Sequence, residues 1–152
     1  MIDLSLIRKA KTRIDPYVNK TPVLTSSRLN KITNTDLFLK CENFQKSGSF
    51  KIRGATNTVL QLTSDELNRG IVTASSGNHG AALSMAVSRL GIKPKIVMPR
   101  NTPKVKINNV IRNGGQIIFC DPNQASREKV LNDILDETKS ILVHPYNDER
   151  II

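Results

Sequence analysis

Two short segments of the 152-residue chain carry residue types that could do chemistry. The first, Lys46-Ser47-Gly48-Ser49-Phe50-Lys51-Ile52-Arg53-Gly54-Ala55, leads from a polar, flexible loop into a helix. Ser49 is placed to cap that helix, which sets Lys51 in its first turn. A cation there faces the positive end of the helix dipole, so the ammonium form is disfavoured, and burial against Phe50 acts in the same direction. A neutral amine is what a lysine needs to condense with a carbonyl. By position alone, a lysine that simply faces solvent fits as well. The second segment, Ser75-Ser76-Gly77-Asn78-His79-Gly80, separates an apolar run from a helical stretch. A glycine-rich turn from strand to helix leaves backbone N–H groups free beside a positive dipole end, which suits a carboxylate or phosphate. A tight turn with only a packing role is the alternative. The glycine spacing matches neither the dinucleotide fingerprint nor the P-loop, and no lysine follows Gly80. No Gly-x-Ser-x-Gly nucleophile elbow occurs there either.

The elements that must position these segments are legible beyond residue 70. Four apolar runs, Ile71–Ala74, Lys95–Met98, Gln116–Cys120 and Ile141–Val143, alternate with helical stretches at Ala81–Leu90, Lys104–Asn113 and Ala125–Glu137. This spacing predicts repeated strand-helix units, hence a Rossmann-like α/β domain: a parallel sheet of about four strands with helices on both faces. The turn at 75–80 then falls at the carboxyl end of a strand, where such sheets bind ligands. Gly91, Gly114 and Gly115 stand where helices should stop. Residues 51–148 form this domain. Residues 1–50 are irregular: an amphipathic helix over 4–14 carrying Leu4, Ile7 and Ile14, extended Thr21-Pro22-Val23-Leu24, a short helix over Arg28–Ile32 capped by Ser26 or Ser27, and a strand over Leu37–Cys41. Such a set cannot close a core, so 1–50 is expected to be an incomplete part of a larger domain.

Composition narrows the function classes. With 38% hydrophobic and 24% charged residues, no Trp and 4% aromatics, the chain has the make-up of a globular protein whose core is mainly Ile, Leu, Val and Ala. The net charge of +10 raises nucleic acid and acidic membranes as partners. Neither is expected, because the basic residues form no run and no aromatics interleave them for stacking. Cys41 and Cys120 lack zinc spacing and read as two reduced, buried thiols. His79 and His144 are isolated, so no metal site is expected. Met85 and Met98 read as core fillers, and Arg127, at a helix start, as a solvated charge. The N-terminus has an acid where a signal peptide needs positive charge, and no stretch reaches the roughly 18–20 apolar residues of a membrane span. A cytoplasmic protein is expected.

Taken together, the two segments resemble the serine/threonine dehydratase and serine racemase family of fold-type II pyridoxal-phosphate enzymes. The likeness continues through Thr21-Pro22-Val23-Leu24-Thr25-Ser26-Ser27, Val97-Met98-Pro99 and Val143-His144-Pro145-Tyr146, so it covers nearly the whole chain. It implies that Lys51 carries pyridoxal phosphate and removes the substrate α-proton from one face, that Phe50 lies against the cofactor ring, and that Asn78 bonds its 3-oxygen. Ser75, Ser76, Asn78 and His79 would hold the substrate carboxylate, with Arg127 nearby. Racemases of this family have a serine at the position of Ser76, acting on the face opposite the lysine. Many dehydratases have alanine, although hydroxyaspartate ammonia-lyases can share the serine. Tyr146 points the other way, since dehydratases commonly have tyrosine there and animal racemases asparagine. By the same resemblance Ser26, Ser27, Lys46 and Ser47 lie at an ATP site between subunits of a homodimer that also takes a divalent cation. The family's phosphate loop, ring-nitrogen partner and metal carboxylates belong to a larger domain whose motifs do not occur in residues 1–152. The resemblance therefore implies an N-terminal half that binds the cofactor weakly alone. A non-catalytic ligand-binding module, or a subunit that pairs with a complementary chain, is the alternative.

Overall fold

In the computed structural model, which describes residues 3–152, helix α1 (Leu4–Ile14) starts at Asp3, whose carboxylate accepts from the Leu6 N–H at 3.0 Å. Only Ile14 of its apolar residues is buried; Leu4 and Ile7 stay exposed. Ser26 caps α2 (Ser27–Thr33), accepting from the Leu29 N–H. The strand expected over Leu37–Cys41 contracts to β2 (Leu39–Lys40). It pairs antiparallel with β1 (Val23–Leu24), which offers only two residues to match. Phe38 is left exposed beside it, and Cys41 is half-buried rather than buried.

Helix α3 (Lys51–Val59) puts Lys51 in its first turn as expected, but Ser49 does not cap it. Phe50 already has helical φ and ψ and occupies the cap position. That moves Ser49 one residue too early, and its buried hydroxyl has no partner among the described residues. Phe50 is 58% exposed, so it does not bury the lysine either. A short helix, α4 (Ser64–Asn68), was not expected. Its sequence signal is a capping box in which Thr63 and Glu66 satisfy each other's backbone N–H.

The remaining elements are β3 (Ile71–Ala74), α5 (Asn78–Ser88), β4 (Lys95–Pro99), α6 (Lys104–Arg112), β5 (Gln116–Cys120), α7 (Gln124–Thr138) and β6 (Ile141–Leu142). The four strands form one parallel sheet in the order β5-β4-β3-β6. Alternation along each strand sends side chains to opposite faces. On one face Ile71, Ile96, Met98 and Val143 pack with Ile52, Ala55, Leu83, Val87 and Val110 of α3, α5 and α6. On the other, Val72, Val97 and Cys120 pack against Ile134 of α7. Helices thus cover both faces. Successive crossovers run outward from β3 to β4 and β5, then the chain returns to place β6 on the other side of β3. That reversal makes the carboxyl ends of β3 and β6 a topological switch point.

The last residues fold back onto α3: Asn57 Nδ2 donates to the Arg150 carbonyl at 2.7 Å. A Cβ at Gly54 would overlap the Ile151 carbonyl. We expect Gly54→Ala to cost about 1–3 kcal/mol, as overpacking does, and to lower Tm by roughly 2–4 °C per kcal/mol. Thermal unfolding with circular dichroism checks this.

Candidate active site

The switch point brings the two chemical segments together through the chain that leaves β6. Lys51 Nζ donates to the Pro145 carbonyl at 2.6 Å and lies 5.3 Å from the centroid of the Phe50 ring. Two residues earlier, the Val143 carbonyl accepts from the Thr73 hydroxyl at 2.7 Å and from His79 Nε2 at 3.2 Å. A carbonyl can only accept, so Nε2 carries the imidazole proton and Nδ1 is left as a buried acceptor without a partner among the described residues. Thr73 and the three residues Val143 to Pro145 are the parts of the site that the motifs alone did not assign a role.

The turn after β3 is closed by one side chain and leaves backbone N–H groups free. Ser75 Oγ accepts from the Gly77 and Gly80 N–H groups at 3.3 and 3.0 Å, which closes the loop. Among the described residues, the N–H groups of Ser76, Asn78 and His79 have no acceptor. They open at the start of an 11-residue helix, where the dipole is positive. Ser76 and Asn78 are exposed and Ser75 half-buried. His79 differs: its side chain is only 4% exposed and turned to Val143, so what it can offer an anion is its backbone N–H. Gly80 is needed because a Cβ there would come within 3.0 Å of Ile96.

Phe50, Lys51, Gly54, Pro145 and Tyr146 line a cleft of about 600 Å³ together with Ile7 and Ile14 of α1 and Ile151 and Ile152, and no residue of the 75–80 turn lines it. Arg127, in the first turn of α7, is half-buried, bonds Gln124, and lines a smaller neighbouring cavity of about 180 Å³ with Ala74, His144 and Tyr146. It is therefore within the same region, not an isolated surface charge. The four residues expected at a nucleotide are placed differently. Ser26 is committed to capping α2, Ser47 is buried with its hydroxyl near the Ser49 carbonyl, and only Ser27 and Lys46 face solvent. Among the described residues no group of three or more His, Cys, Asp or Glu side chains is arranged to hold a metal, and no helix is long and apolar enough to cross a membrane.

The first turn of α3 is also held through Arg53. Arg53 makes a two-pronged pair with Glu42, Nε to Oε2 at 2.8 Å and Nη2 to Oε1 at 2.7 Å, and Thr21 donates to the same carboxylate at 2.6 Å. The Arg53 hydrogen bonds, helped by the Thr21 hydroxyl, hold the Glu42 carboxyl below the usual carboxylate range against the opposing effect of burial. This pair ties residues 19–42 to the first turn of α3.

These residues fit a cofactor that presents an aldehyde to a lysine and a substrate carboxylate to backbone N–H groups. The family described as "Pyridoxal-phosphate dependent enzyme" matches residues 14–152, and the chain belongs to it. It is 51% identical over 150 residues to a serine racemase from Arabidopsis thaliana, covering 99% of this chain and 45% of that protein. It is 47% identical over 143 residues to a beta-hydroxyaspartate dehydratase from Paracoccus denitrificans, covering 94% of this chain and 45% of that protein. The solved structure of maize serine racemase superposes with a TM-score of 0.94 at 45% identity, over 98% of this chain and 45% of that one. The chain thus spans less than half the length of the relatives it matches.

Burial pushes the His79 imidazole down to about 4 from 6.5, with the charges of Lys51 and His144 acting in the same direction and the Val143 bond opposing. An unfolded histidine takes up a proton as the pH falls through 6.5 while the folded one stays neutral, so stability is full above pH 6.5 and lost on the way down to about 4. The loss should reach about 3 kcal/mol at pH 4. His79→Gln, which cannot titrate, should remove this part of the pH dependence in urea unfolding measured from pH 7 to 4.

Proposed function

We propose that this chain is the N-terminal half of a pyridoxal-phosphate enzyme of amino-acid metabolism that racemises serine and eliminates water and ammonia from serine- or threonine-like hydroxy amino acids. The observation that carries the reading is that Lys51 and His79 both bond the short segment leaving β6, Lys51 at the Pro145 carbonyl and His79 at the Val143 carbonyl, at the carboxyl ends of β3 and β6. Lys51 would hold the cofactor through its amine, Phe50 would lie against the ring, and Asn78 would bond the ring oxygen. Pyridoxal phosphate, when bound, draws electrons from the substrate α-carbon and makes its C–H bond acidic. Lys51 Nζ, freed when the substrate amine takes its place on the cofactor, would then take that proton on one face. Ser76 Oγ, exposed and without a partner among the described residues, gives a proton on the other. Two groups on opposite faces are what inversion requires; elimination of a hydroxyl requires one. The free N–H groups of Ser76, Asn78 and His79 orient the substrate carboxylate, with Ser75 bracing the turn and Arg127 adding positive charge.

Residues 51–148 are, in this reading, the small domain, and residues 1–50 belong to a larger one that supplies the phosphate loop and the partner of the ring nitrogen. The exposed Ile7, Val23, Leu24, Ile32 and Phe38 support this, being an apolar surface suited to further packing. A cytoplasmic homodimer, ATP at Ser26, Ser27, Lys46 and Ser47, and a divalent cation complete the reading. Elimination without racemisation is the second reading, favoured by Tyr146, which stands edge-on to His144 with ring centroids 4.5 Å apart.

In the parent protein, Lys51→Ala should abolish the visible absorbance of the bound cofactor; a spectrum unchanged by the substitution contradicts the assignment. Ser76→Ala should remove racemisation, read by chiral chromatography of serine, while elimination to the keto acid continues. Equal survival of both activities overturns the role of Ser76.

A further inference from the structure

The cofactor reading leaves the most deeply buried ionisable group of the site unused. His79 lies beneath the turn, and its ring contacts no open cleft: Nε2 is spent on the Val143 carbonyl and Nδ1 is enclosed. The same carbonyl receives the Thr73 hydroxyl, so two side chains from β3 and α5 converge on one acceptor at the end of β6. Val143 is itself fully buried, and its N–H is bonded to the Val72 carbonyl at 3.0 Å. Beyond it the chain turns through His144, whose Nδ1 accepts from the Tyr146 and Asn147 N–H groups at 3.2 and 2.8 Å. Pro145 lies inside that turn with its φ fixed by the ring. The Tyr146 N–H belongs to the same planar peptide as the Pro145 carbonyl, so its bond to His144 sets the direction of that carbonyl, and the place of this turn follows from where Val143 is held. That carbonyl is the acceptor of Lys51 Nζ.

We propose that His79 is a positioning residue for Lys51: with Thr73 it fixes the Val143 carbonyl, and so sets the place of the Pro145 carbonyl that receives the lysine amine. The inference rests on reading Lys51 as the reactive amine. It gives His79 a task for its side chain that is separate from the one its backbone N–H has toward a carboxylate. It also accounts for a histidine held in its Nε2–H form, since only that form donates to Val143. Glutamine can place an amide N–H near Nε2, whereas leucine fills the space and donates nothing.

The test uses the 152-residue chain and trinitrobenzenesulfonate, an amine reagent that does not depend on the cofactor, with Lys51 modification read by peptide mass spectrometry. His79→Leu should raise the Lys51 rate about fivefold, the factor set by losing one hydrogen bond of ordinary net strength, while His79→Gln stays near wild type. Thr73→Val, which removes the other donor to Val143, should also raise it and keeps the test open if His79→Leu does not fold. Nitrogen-15 spectra of the wild-type imidazole at pH 7 should show the proton on Nε2. Equal Lys51 rates in folded wild type, His79→Leu and Thr73→Val overturn the proposal, as does a proton on Nδ1. If the rates change as expected but pyridoxal phosphate shows no preference for Lys51, the cofactor reading fails and the positioning role stands.

Discussion

The Val143 carbonyl is the contact on which the site depends. It lies at the end of β6, takes hydrogen bonds from β3 and α5, and stands two residues before the carbonyl that meets Lys51. A buried acceptor with two donors is a firm anchor, because releasing either side chain leaves a polar group unpaired in the interior. Everything with chemical potential in this chain is attached to that anchor. The anion turn follows directly from β3, and the lysine helix is reached through Pro145.

Topology explains why the anchor is there. A chain that ran β3, β4, β5 and then added a fourth strand at the far edge would leave the carboxyl end of β3 beside nothing. Returning to the open side of β3 sets β6 parallel to it and brings two loop segments into one crevice. Helix α5 is then enclosed by α3, α6 and the sheet, which is why Ala81, Ala82, Leu83, Ala86 and Val87 are buried and why glycines are needed at its close approaches. The Glu42–Arg53 pair ties the first turn of α3 to residue 42, while Lys51 in the same turn is bonded to the Pro145 carbonyl.

Much of this was legible in the residues. Strand runs with apolar centres, glycines at positive φ at Gly91 and Gly114, and the spacing between units give the parallel sheet and the helices on both faces. The residue types in 46–55 and 75–80 place a lysine in a first helical turn and free backbone N–H groups in a strand-to-helix turn, and both are found there. What the sequence concealed was set by tertiary contact. Ser49 has the right identity for a cap, but Phe50 takes up helical backbone first. The helix after β5 ends on Lys139 at φ 54, where a glycine would have announced the stop. His79 reads as part of a ligand turn, and only the neighbouring strand shows its ring pointing inward. The placement of β6 beside β3 has no local signal at all, because strand order is a property of the packed layers.

In the proposed function, Lys51 alone among the lysines condenses with a carbonyl cofactor. The most direct measurement is to mix the chain with pyridoxal phosphate, reduce with borohydride and locate the pyridoxyl mass among the tryptic peptides. The label is expected to concentrate on Lys51 and to be lost in Lys51→Ala. Label spread over surface lysines such as Lys9, Lys31 and Lys129, with Lys51 unmodified, would contradict it.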